Sequence, residues 1–347
     1  MSPTAQVDVV VLQHLLNFWD SQGIEIDPVW QILGIDTTQP LPRWVSTDRL
    51  AEVYVFLSQQ GYDLGFFVSA GKYLAEQELP LGHLLKHGES LEQALPLCFR
   101  FAYLMVGSVE FELKSMPQSR KVLVRPVNAE HASHQQLLVA LSTLTHACYN
   151  VIQGSHQQGD LQVFLPDLEH RYPEAVMAFE VPVVQADCFA LEISMAAWQR
   201  NNPRRKEGLF RIAQREFERE HQKFTEYLAV YTELKDILQQ CLLQRNVSQE
   251  DVAGRLGISV RNLQRRLKAL GTTYQLLLDE ARQALAMRLL QDEATPLYEV
   301  SFMVGYNEPS AFYKAFKRWT GMTPGDYRLT HMPAQQAARI NAVSDEV

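Results

Sequence analysis

A chain of 347 residues that is 46% apolar and 21% charged, with 17 glycines and 16 prolines, holds material for about two packed domains. That composition excludes collagen-like and disordered classes. The formal charge of −8 is unevenly spread: residues 245–330 carry 12 basic and 9 acidic side chains, against 19 basic and 29 acidic in residues 1–244, so any part that meets a polyanion lies toward the C-terminal end.

Helical periodicity opens the chain at Val9, Leu12, Leu15, Leu16 and Trp19. A loop-rich stretch punctuated by Pro28, Gly34, Pro40 and Pro42 precedes a further helix after Thr47. Leu81 to Phe101 reads as two short helices, the second capped by Ser90 with Gln93 as its capping-box partner. The period then changes to two. Val109, Phe111 and Leu113 alternate with charged residues, Met116 to Ser119 turns, and Lys121 to Arg125 returns, which predicts a hairpin. Between Glu130 and Asp160 no charged residue occurs, and Leu137, Leu141, Leu144, Cys148 and Ile152 repeat as an enclosed helix requires. Polar Ser142, Thr143, His146 and Asn150 keep that stretch from spanning a membrane. Strands at Leu161 to Leu165 and Phe189 to Ile193 complete an α+β pattern. Asn202 and Pro203 supply an N-cap and first-turn proline to a helix whose expected apolar face is Leu209, Ile212, Ala213, Phe217, Phe224 and Leu228. That face suits either a dimer seam or packing on its own domain, since Glu220 and His221 interrupt it.

Val247 to Leu270 has the spacing of a helix-turn-helix. Ser248 caps a short helix, Ala253 is small where two helices cross, and Gly257 follows where the chain turns. Ile258 fills the turn, Ser259 caps the second helix, and Leu263 and Leu267 anchor it. The outward face presents Arg261, Gln264, Arg265 and Lys268 without an acidic residue, a set suited to base edges and phosphates. Leu297 to Trp319 repeats the design. Val300 and Met303 are expected inside, Ser301 stands at the crossing, Gly305 at the turn, and Asn307 or Glu308 caps a helix with Pro309 in its first turn. Phe312 and Phe316 anchor that helix, Phe312 falling seven residues after its glycine where Leu263 falls six, and Ser310, Tyr313, Lys314, Lys317 and Arg318 lie outward. Tyr274 to Leu290 between them predicts a helix about 25 Å long at 1.5 Å per residue. With packed helices at its ends, such a spacer could set two reading helices into major grooves about 34 Å apart.

The segments LGISVRNLQRRLKALG (256–271), DEARQALAMRLL (279–290) and VGYNEPSAFYKAFKRWTGMTPGDYR (304–328) resemble, in order, the DNA-binding domain of the AraC/XylS family of bacterial transcription regulators. The resemblance implies a seven-helix domain with two motifs, and base readout by Arg261, Gln264 and Arg265 and then by Ser310, Tyr313 and Lys314. Ser301 stands where alanine is usual, and Lys314 where arginine is common, which removes a bidentate fork. LGHLLKHGESLEQAL (81–95) and VPVVQADCFALEISMAAW (181–198) resemble the arabinose-binding-like effector domain of one branch. The fold expected is therefore an α+β effector-sensing or dimerisation domain over 1–229, an all-α DNA-binding domain with two helix-turn-helix motifs joined by a long helix over 230–330, and a tail over 331–347. The partners implied are promoter DNA, a small-molecule effector, RNA polymerase and a second copy in a homodimer, with activation as the direction of control.

Cys98, Cys148, Cys188 and Cys241 lie far apart without a CxxC, which suits a reducing cytoplasm, and no basic leader or membrane span is legible. His83 and His87 share a helix face but lack the Glu of a zinc-protease helix, and His131 and His134 have no evident third ligand, so neither a metal nor another cofactor is expected. Arg204, Arg205 and Lys206 suit contact with DNA phosphate, but read better as a solvated helix start. No phosphate loop or nucleophile elbow supports catalysis. The rival reading is a DNA-repair protein with an alkyl-accepting cysteine, which the apolar contexts LPLCFRF, HACYN and ADCFA disfavour.

Overall fold

The chain divides into two units, the first ending at Phe224 and the second starting at Thr225. The computed structural model describes residues 6–38, 41–127, 133–152, 159–166, 173–244, 247–269, 272–292 and 294–330. The expected tail at 331–347 and His131 lie outside the described residues.

In the first unit, β1 (Gln6–Asp8) and β2 (Trp44–Ser46) pair antiparallel with Val7 opposite Val45. Asp8 then caps α1 (Val9–Ser21), accepting the Val10 amide at 2.8 Å. There follow α2 (Ile26–Leu33), α3 (Thr47–Gln59), α4 (Leu64–Glu76), α5 (Pro80–His87) and α6 (Leu91–Phe101). Ser90 caps α6 by accepting the Gln93 amide at 3.3 Å, but Gln93 Oε1 accepts from the Glu89 amide at 2.7 Å, one residue earlier than a capping box places it.

The expected hairpin forms as β3 (Val109–Ser115) and β4 (Ser119–Pro126). Helix α7 (His134–Ile152) occupies the uncharged stretch. Then come β5 (Leu161–Leu165), α8 (Pro173–Ala178), β6 (Val183–Gln185), β7 (Ala190–Ser194) and α9 (Met195–Trp198). The sheet order is β3-β4-β7-β5-β6, antiparallel except between β5 and β6. Val122, Leu191 and Val163 line up across β4, β7 and β5 and are fully buried in the core, where α7 packs against the sheet. On the other face Lys121 stands opposite Glu192, its ammonium 3.6 Å from the centre of the Phe164 ring.

Helices α4 and α7 cross with no slack. A Cβ on Gly71 would sit 2.5 Å from the Val139 carbonyl oxygen and 2.6 Å from Ser142 Cβ. Ser142 also donates to the Val68 carbonyl at 2.6 Å, tying the helices together. Gly71→Ala is therefore expected to cost about 1–3 kcal/mol by overpacking, since a backbone oxygen cannot rotate away. Thermal unfolding should show a Tm lower by roughly 2–12 °C; an unchanged Tm would mean that the crossing is looser than drawn.

Helix α10 (Glu207–Leu243) begins four residues later than Asn202 and Pro203 predict. Asn202 is buried, and its side chain does other work: Nδ2 donates to the carbonyls of Lys86 at 2.9 Å and Gly88 at 3.0 Å, and Oδ1 accepts the Arg204 amide at 2.9 Å. The side chain thus closes a turn of its own and locks it to the link between α5 and α6. The apolar face of α10 is also rotated from the expected one. Leu209 and Ile212 are 44% and 64% exposed, while Phe210 and Phe217 are buried. At 100° per residue, Phe210, Ala213, His221 and Phe224 fall within about 40° of Phe217, whereas Ile212 lies about 140° away.

The second unit follows with α11 (Gln249–Arg255), α12 (Val260–Ala269), α13 (Tyr274–Leu290), α14 (Leu297–Met303), α15 (Pro309–Thr320) and α16 (Pro324–Thr330). Its core joins Leu234, Leu238 and Leu242 of α10 to Leu263, Leu267, Leu285, Phe312 and Phe316. One expected inner residue is corrected: Met303 is 37% exposed, and Val304, fully buried, fills the core beside Val300. Val300 and Val304 are separated by one helical turn and share a face, which Met303 at i+3 leaves at its edge. The described chain is thus an α+β unit followed by a helical unit.

Candidate nucleic-acid interface

The pair α11–α12 is built by local rules. Ser248 and Asp251 form a reciprocal capping box at the start of α11, with the Asp251 amide donating to Ser248 Oγ at 3.0 Å. Gly257 ends the helix at φ +64°, a conformation that side chains rarely adopt. The Ile258 amide then reaches back to the Ala253 carbonyl at 3.0 Å, and Ser259 Oγ accepts the Asn262 amide at 3.2 Å to start α12. The small, buried Ala253 allows the close approach, and Leu263 and Leu267 are buried beneath α12.

The pair α14–α15 repeats these bonds. Gly305 takes φ +84°, and the Tyr306 amide donates to the Ser301 carbonyl at 3.0 Å, the same step back of five residues. Ser301 is fully buried, its hydroxyl satisfied by the Tyr298 carbonyl at 2.6 Å, so it fits the crossing without an orphaned polar group. Glu308 stands at the N-cap of α15 without a side-chain bond, and Pro309 follows in the first turn. The longer turn expected from the sequence is present: α15 starts four residues after its glycine, α12 three.

Helix α13 fastens to both pairs. Tyr274 donates to the Val247 carbonyl at 2.7 Å ahead of α11, and burial pushes its pKa up to about 12, so it remains a donor. Arg282 donates to the Gly305 carbonyl at 3.2 Å and lies 4.7 Å over the Tyr306 ring, holding the second turn from the side.

Arg261, Gln264, Arg265 and Lys268 are all exposed on α12, as are Ser310, Tyr313, Lys314, Lys317 and Arg318 on α15. The two helices contain no acidic residue. Gln264 spends one amide hydrogen on Gln249 Oε1 at 3.1 Å, and Arg318 reaches Asp279 at 3.5 Å while remaining 68% exposed, so both can be drawn toward another partner. Arg266 is also exposed on α12, and its charge adds to this face. Lys317 and Arg318 lie in the last turn of α15, where they also offset the helix dipole.

The other candidate chemistries fare differently. His83 and His87 stack with ring centres 5.9 Å apart, His83 faces Glu78 at 3.5 Å, and burial lowers the pKa of His87. Among the described residues no cluster of three metal-ligating side chains is present. Burial pushes the thiols of Cys98 and Cys148 up, away from the thiolate that an alkyl acceptor needs. Arg205 pairs with Glu89 at 3.0 Å at the surface.

Residues 252–330 match the family described as a helix-turn-helix domain. The ornithine utilization regulator of Pseudomonas aeruginosa is 47% identical over 79 residues, 23% of each chain. An uncharacterized HTH-type transcriptional regulator of Mycobacterium tuberculosis is 33% identical over 160 residues, 45% of this chain and 39% of that one. The chain thus spans between about a quarter and two fifths of these relatives' length. The crystal structure of the transcriptional regulator CdpR from Pseudomonas aeruginosa is 21% identical, covering 91% of this chain and 97% of that one at a TM-score of 0.41. Set beside the turns and the acid-free faces of α12 and α15, the family match identifies the C-terminal part of this chain as a helix-turn-helix domain of the AraC type.

Proposed function

We propose that the chain is a sequence-specific transcription regulator that binds promoter DNA through both helix pairs of its second unit and responds to a small molecule through its first. The observation that carries the reading is the repeated turn. Two helix pairs with the same backbone bonds each bury one face of their second helix and leave a cationic, acid-free face outward. In this reading Arg261, Gln264 and Arg265 address base edges from α12, Ser310, Tyr313 and Lys314 do so from α15, and Lys268, Lys317 and Arg318 hold phosphates. Arg266 joins the phosphate set. The excess of acidic residues over 1–244 argues against a non-specific binder, because only the local basic faces attract DNA.

Selection from random duplexes, followed by footprinting with the full chain, tests this. The expected result is one preferred sequence protected in two patches about 10 base pairs apart on one side of the duplex, with affinity falling as salt rises. Binding without sequence preference would overturn the reading.

A further inference from the structure

The first unit holds a cavity of about 170 Å³. The hollow is partly open, and its wall is almost wholly apolar, so the fold leaves a concave apolar surface uncovered there. One wall is a stripe of α7, where Gln136, Ala140, Thr143 and Ala147 recur at three- and four-residue spacing, and β1, α1, α3, α4, α5, α6, β3 and the segments between them supply the rest. Among the described lining residues there is no Asp, Glu, Lys, Arg or His. Most of the polar side chains on the wall are already committed. Gln136 donates to the Thr47 carbonyl at 3.1 Å, Thr143 to the Val139 carbonyl at 2.7 Å, and Gln77 to the Tyr73 carbonyl at 3.0 Å. Cys98 points its thiol at the Leu81 carbonyl at 3.7 Å.

These facts weigh against whole classes of occupant, although the Tyr54 and Ser108 hydroxyls also stand on the wall. A sugar would bury several hydroxyls where few donors and acceptors remain to meet them, and an amino acid would bury two opposite charges with no partner for either. A compact hydrocarbon group loses nothing on entry and restores the missing packing. A second hollow shares Ala75, Gln77, Gly82, Leu85 and Ala147 with the first and adds Glu76, Glu78 and Lys86, so polar surroundings begin where the apolar chamber ends.

We infer that this cavity is the effector site, and that it takes an uncharged alkyl or aromatic group of about six to eight carbons, a size set by the benzene that a 150 Å³ apolar cavity accepts. Any polar end of the ligand lies toward the Glu76, Glu78 and Lys86 side. This rests on the regulator reading only in calling the ligand an effector.

The test uses the full chain with straight-chain alcohols from butanol to octanol at sub-denaturing concentrations, and with benzene, L-arabinose and L-ornithine, read by thermal shift and calorimetry. Affinity is expected to rise about four-fold for each added methylene until the chamber is full, with no stabilisation by arabinose or ornithine. Ala140→Leu and Ala147→Leu, which fill the chamber from α7, should each abolish the alcohol response without lowering the Tm of the unliganded protein. If neither variant folds, xenon NMR of the unaltered protein decides: a saturable shift supports the site and its absence overturns it. A response independent of chain length, or one larger for arabinose or ornithine, also overturns it. Footprinting on the same preparation separates the two readings. A preserved footprint with no alcohol response removes the cavity inference alone, and alcohol binding without a footprint removes the regulator reading alone.

Discussion

Arg265→Ala should weaken binding to the preferred duplex by about five- to 150-fold, the range for losing one bidentate contact to guanine worth about 1–3 kcal/mol. Arg265 is exposed in the middle of α12, while Leu263 and Leu267 on the inward side hold the helix in place, so folding should not change. The discriminating measurement is affinity for duplexes permuted at each position. Preference should relax at one position only, and binding to unrelated sequence should fall much less. Lys268→Ala makes the control, since loss of a phosphate contact weakens all sequences alike and reduces the salt slope by about one. Uniform weakening by Arg265→Ala would reassign that residue to the phosphates.

For stability, the largest expected loss belongs to Asp160→Ala. Asp160 receives both guanidinium nitrogens of Arg200, at 2.7 and 3.1 Å, and the Ser194 hydroxyl at 3.3 Å. The two side chains are only 4% and 17% exposed. Removing the carboxylate leaves a mostly buried cation with no compensating charge, a change that costs about 3–5 kcal/mol, far more than an exposed pair would. Denaturant unfolding of the full chain should show the loss in the transition of the first unit. The double replacement Asp160→Leu with Arg200→Leu should recover most of it, because an apolar pair of similar volume is often no less stable. A loss under about 1 kcal/mol for the single change would place the pair among ordinary surface contacts.

What the sequence makes legible here is whatever rests on short-range rules. Gly257 and Gly305 announce turns because each must take a positive φ, and the alternation from Val109 to Leu113 announces a strand because one sheet face is buried. The spacing of Leu277, Leu278, Ala281 and Leu285 sets α13 in register with its core, but at the end of the helix it points to Leu289, where the structure buries Leu290 instead. Other features depend on partners far away in the chain. β1, β2 and β6 are three residues each, too short for a period to emerge. The rotation of α10 is settled by Phe101, which stacks on Phe217 with ring centres 5.4 Å apart, and no pattern within α10 contains that choice. Arg282 looks like a solvated helix residue until the fold brings Gly305 to it, 23 positions away. The outward residues of α12 and α15 were readable because an exposed face is what remains once the anchors are placed. The hollow in the first unit was not, since empty space belongs to no residue.

Asn202 has a consequence for how motion could travel. By gripping the last carbonyls of α5, it makes the stretch ahead of α10 a passenger of that short helix. α5 also walls the hollow through Leu81 and Leu85, so any displacement of that helix would carry this stretch with it.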